Sequence, residues 1–81
     1  SLSNDMTVAI QLAEEMVERI RVNGGSDPGI YNGIDTNNTC SGTDPALGDC
    51  TQWQTRLQNS MLQNIRGTVT VSQNDDPVNK S

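Results

Sequence analysis

The sequence predicts an α+β domain: an amphipathic N-terminal helix, a disulfide-closed loop, a second helix packed on the first, and a minimal, incomplete β-strand region. Three observations lead there. Apolar residues recur every three or four positions between Met6 and Ile20. The same spacing returns between Cys50 and Ile65, after a loop bracketed by Cys40 and Cys50. From Gly67 onward the period drops to two. With 81 residues there is room for one domain, and at 32% hydrophobic content it buries a modest core that benefits from a staple or a partner.

The first helix is predicted over residues 9–23. Met6, Ala9, Ile10, Ala13, Met16, Val17 and Ile20 fall within an arc of roughly 120°. Gln11, Glu14, Glu15, Glu18 and Arg21 cover the opposite side, and Glu15 and Arg19 stand at i,i+4 spacing in the favourable order. Asp5 near the start and the two arginines near the end complement the helix dipole. Ser3 or Asn4 is placed to cap the start, and Asn23-Gly24-Gly25 to stop the helix.

Residues 24–49 read as loop, holding six of the chain's seven glycines and two of its three prolines. Ile30, Tyr31 and Ile34 are its bulky apolar residues before the cysteines, suited to folding back over the helix as a lid. Cys40 and Cys50 flank a Gly-, Pro- and Asp-containing loop, and the chain has no histidine to complete a zinc site with them. A disulfide is the expected state, which places the chain outside the cytoplasm. The alternative is a pair of unrelated thiols.

The second helix is predicted to begin at Asp44-Pro45, or at Asp49, which with Gln52 three residues later resembles a capping box, and to run to residues 64–66, before Gly67. Cys50, Trp53, Leu57, Met61 and Ile65 form its apolar stripe, with Trp53 as the anchor against the first helix. The helix-packing set is thus Met16, Ile20, Trp53, Leu57 and Met61. Over residues 67–73, Val69 and Val71 alternate with Thr68, Thr70 and Ser72, the pattern of a half-buried strand. A lone strand leaves one ladder edge unpaired, so Thr68, Val69, Thr70, Val71 and Ser72 form a candidate subunit interface, with residues 30–34 as a possible internal neighbour. Residues 74–81 read as a turn and a flexible tail.

Composition narrows the chemistry. Net charge is −5, with four arginines, one lysine and no basic cluster, a poor match to nucleic acid. Glu14, Glu15 and Glu18 lie on the predicted wet face, where nothing raises a carboxyl pKa for acid–base work. Asp35-Thr36-Asn37 opens like a calcium loop, but Cys40 stands where the glycine belongs and the closing glutamate is missing. No enzyme activity and no cofactor are expected.

The run QLAEEMVERIRVN, then Tyr31-Asn32, the cysteine pair, WQTRLQNSM, Gly67 and the Val69/Val71 segment resemble the type IV pilus modification protein PilV family, minor pilins similar to the minor pseudopilins of type II secretion. The most specific part is the helix end Ala13-Glu14 followed by Arg19-Ile20-Arg21-Val22-Asn23. The resemblance implies a pilin-like head whose first helix continues an apolar segment anchored in the bacterial inner membrane. It implies movement from inner membrane and periplasm into an extracellular pilus. It also implies a role in pilus assembly, priming and tip structure, with other minor pilins, the major pilin and a pilus-tip adhesin as partners. A second reading is a free secreted, disulfide-stapled binding module, a small adhesin or inhibitor acting through residues 24–49.

Overall fold

In the computed structural model, residues 2–72 are described. They form α1 (Leu2–Arg19), which widens directly into a π-helical turn (Ile20–Gly24), then a 3-10 turn (Pro28–Tyr31), and α2 (Ala46–Gln58). The chain reverses after the π turn at Gly25, whose φ of 53° and ψ of −121° suit glycine. α2 packs across the C-terminal half of α1, and the connecting loop is laid against both helices.

Leu12, Met16, Tyr31, Ala46, Trp53 and Leu57 form one buried cluster, with Val8, Ile20, Ile34, Ile65, Val69 and Val71 packed half-buried around it. Trp53 is its centre. Its indole N–H donates to the Leu12 carbonyl at 2.8 Å, so the ring is buried without stranding its donor. Gly67 lies flat on the indole face: a Cβ there would stand 2.3 Å from Trp53 Cη2. Cys40 and Cys50 are bonded, with Cα atoms 5.9 Å apart. The bridge and the Gln54 amide, which donates to the carbonyls of Thr36 and Asn38, pin the long loop onto α2.

The buried face of α1 is not the one the periodicity favours. Val8, Leu12, Met16 and Ile20 turn inward, whereas Met6, Ile10 and Val17 stay exposed. The helix is rotated by roughly 80° from the predicted phase, at 100° per residue. The physical reason lies in the polar residues beside Leu12 and Met16. In the observed phase Glu15 reaches Arg56 on α2, with Nε to Oε1 at 2.9 Å, and Arg19 reaches Asp49 at 2.9 Å. The predicted intrahelical Glu15–Arg19 pair is therefore replaced by two ion pairs across the helix interface.

α2 ends earlier than predicted, at Gln58. The Ser60 hydroxyl donates to the Leu57 carbonyl at 2.6 Å, and Met61 and Asn64 take left-handed φ values of 66° and 59°. This turn throws Met61 outward, 92% exposed, so it takes no part in helix packing. It also sends Ile65 and Gly67 back over Trp53.

The α+β fold class is not upheld. Among the described residues no strand forms, and the molecule is essentially all-helical with one disulfide. What remains of the predicted strand is a single antiparallel bridge between Asp35 and Thr68. The Thr36 and Val69 amides donate across it to the Gly67 and Ile34 carbonyls, each at 2.9 Å. The ladder stops because the partner segment is short and irregular: Gly33, not Ile34, donates to Val69 O, and Val71 N–H turns to the Asn32 side chain. Gln73 and the predicted tail lie outside the described residues.

Gly67→Ala forces its methyl into the indole or displaces it. We expect a loss of about 1–3 kcal/mol in denaturant unfolding, and Gly67→Ala made together with Trp53→Leu should cost less than the sum of the two single changes. Unchanged stability of Gly67→Ala would contradict the stacking of this segment on Trp53.

Candidate functional site

Two regions stand out, one on the inner face of α2 and one along the outer face of α1. The first is polar and internal. Asp49 faces inward from the first turn of α2 and is 5% exposed. Its Oδ1 accepts from Arg19 Nη1 at 2.9 Å, and its Oδ2 accepts from Asn23 Nδ2 at 2.9 Å and from the Tyr31 hydroxyl at 2.5 Å. One carboxylate thereby joins the end of α1, the π turn, the 3-10 turn and α2.

Burial works against an ionised Asp49, but the hydrogen bonds from Tyr31, Asn23 and Arg19, with the arginine's charge, outweigh it and hold the carboxyl below the usual range. Burial and the adjacent carboxylate push the Tyr31 phenol up to about 12. At neutral pH the pair is a neutral donor on an anionic acceptor. No buried side-chain polar atom among the described residues lacks a partner, and both Asp49 oxygens are engaged within the network. Its chemistry is that of a latch.

A second carboxylate, Asp35, is held at about 2 by a two-pronged contact from Arg66 and by the Asn37 amide at 2.9 Å. Asp35, the carboxylate that opens the calcium-loop-like stretch, is thus committed to an ion pair. Among the described residues, no group of three or more His, Cys, Asp or Glu side chains is placed to hold a metal.

The second region is apolar and external. Met6, Ile10 and Val17 are 66%, 53% and 64% exposed along one face of α1. Beside them runs a trough between α1 and residues 61–70, made of three adjoining cavities. Of the predicted helix-packing residues, Met16, Trp53 and Leu57 are buried and Ile20 is half-buried. In the candidate interface segment, Val69 and Val71 are half-buried and turn to the core, while Thr68, Thr70 and Ser72 are exposed.

Sequence reasoning overlooked Leu12, the Asp49 network and the Glu15–Arg56 pair. Asp49 was readable only as a helix-capping residue. Tyr31 carried a signal, being the one aromatic in a glycine-rich loop between two isoleucines, and it is fully buried.

No family model, curated protein or solved structure matches the chain. Among the described residues, no helix is long and apolar enough to cross a membrane.

The chain's single tyrosine makes the latch directly observable. Because its folded pKa is raised from 10.0 to about 12, its contribution is complete below pH 10 and is lost as the pH rises toward 12. Asp49 acts in the opposite direction: its contribution is complete above the usual carboxylate range and is lost as the pH falls through its depressed value. Ultraviolet titration should show the phenol ionising near pH 12 together with a falling melting temperature. A free phenol titrating near 10 in a fully folded chain would contradict the buried contact.

Proposed function

We propose that this chain is a minor pilin, a subunit that takes part in type IV pilus assembly, priming and tip structure by packing against other subunits. Its partners would be other minor pilins and the major pilin, with a tip adhesin at the growing end. On this reading the full protein is held in the bacterial inner membrane, faces the periplasm, and later enters the extracellular pilus.

The observation that carries the reading is the exposed row Met6, Ile10 and Val17. Water-facing apolar residues at helical spacing, outside a core that is complete without them, favour a helix that has a second neighbour. The helix-end resemblance adds support, because two of its positions have structural work here. Arg19 and Asn23 are both donors to Asp49, which orients the head on the end of α1. The disulfide suits an exported subunit.

The test is piliation of the bacterium that encodes the chain. Deleting the gene should remove or sharply reduce surface pili, and the wild-type gene should restore them. A copy with Ile10→Glu and Val17→Glu should not, although the purified variant should melt within about 2 °C of wild type, since both positions face water. Normal piliation in the deletion strain would refute the proposal.

A further inference from the structure

The trough beside α1 combines two features that no described residue uses. Its far wall includes Thr68 and Thr70. Thr68 opposes Asp35 as a non-hydrogen-bonded pair, because the bonds run from their neighbours, so its own N–H and C=O point away from that partner. No described residue bonds the backbone of Thr68 or Thr70. Among the described residues these two therefore present four unpaired ladder groups in the alternating pattern of an open β edge.

The trough floor is apolar. Two cavities of about 290 and 230 Å³ follow one another along this wall, sharing Ala13, Trp53 and Thr68. A third, wider one continues toward Met6 and Met61. Consecutive small depressions beside an unpaired backbone edge fit a chain whose alternate side chains point the same way. A helix cannot satisfy the edge, because its own backbone groups are already bonded to each other.

We propose that this trough is a strand-acceptor site: an extended segment of another protein pairs with Thr68 and Thr70 and inserts alternate apolar side chains over Ala13 and Trp53. The inference rests on the assembly reading for which protein supplies the strand, and not for the site itself. Charge selects against a second copy of this chain. Arg19, Arg21, Arg56 and Arg66 are each already paired with a carboxylate. Asp5, which lines the trough, and Glu14, beside Ile10 and Val17, have no ion pair among the described residues. The incoming strand is therefore one with cationic flanks.

The probe is a capped peptide, Lys-Lys-Thr-Val-Thr-Val-Thr-Val-Lys-Lys, titrated into the folded 81-residue chain. It should bind as a 1:1 complex and slow hydrogen exchange at the Thr68 and Thr70 amides. Ala13→Glu, at an exposed position, and N-methylation of every core amide of the peptide should each weaken binding by about tenfold or more. Absence of binding, or binding that both changes leave within about twofold, would overturn the site. So would a concentration-dependent homodimer protecting the same two amides. Piliation is scored separately: peptide binding with normal piliation in the deletion strain would keep the acceptor site and remove the assembly reading. Lost piliation without peptide binding would do the reverse.

Discussion

The carboxylate of Asp49 is the constraint on which the rest of the molecule depends. A chain with one tryptophan, one tyrosine and no phenylalanine has little apolar surface with which to order its parts. Asp49 adds direction to that weak driving force. Buried and ionised, it must have donors, and it finds them on three other segments: Arg19 on α1, Asn23 on the π turn and Tyr31 on the 3-10 turn. Leaving any one of these unmade exposes a buried charge to an apolar surrounding, so the arrangement is specified sharply even though its net contribution to stability is modest. The adjacent Cys50 bonds to Cys40, and the same turn of α2 thus fixes both halves of the long loop.

The latch also accounts for the phase of α1. That helix is apolar around more than half its circumference, and hydrophobic spacing alone leaves its orientation open. Arg19 and Glu15 decide it, because only the observed rotation brings them to Asp49 and Arg56 while Leu12 receives the indole N–H. The consequence is functional. Turning Leu12 inward leaves Met6, Ile10 and Val17 facing out, and among the described residues the trough between them and residues 61–70 stays open.

How much of this was legible follows the same division. Two helices, the glycine stop after α1 and the cysteine bridge rest on local signals of spacing, turn chemistry and loop length, and those signals are strong here. The residues whose role depends on a distant partner were not readable. Glu15 looked like a solvated charge because Arg56 is 41 positions away, and Asp49 looked like a cap because its donors lie 18, 26 and 30 positions away. The alternating run at residues 67–73 was misread as a strand. Period two describes which side each residue faces, whereas a strand also requires a neighbour long enough to pair with, and residues 33–36 supply only one bridge. The end of α2 failed for a related reason: Met61 and Ile65 continue the stripe, but Ser60 recaptures the Leu57 carbonyl and the turn after it reuses Ile65 from another direction.

The most direct measurement of the latch is a double-mutant cycle by denaturant unfolding on Arg19→Met and Asp49→Asn, with the double variant. Asp49→Asn alone should cost about 3 kcal/mol or more, because it strips charge from a buried acceptor of three donors. The two changes should couple by roughly 1–3 kcal/mol, the double variant being more stable than the sum of the singles implies. Costs that add to within about 0.5 kcal/mol would show that Arg19 and Asp49 do not act through one another, and would contradict an account built on that carboxylate.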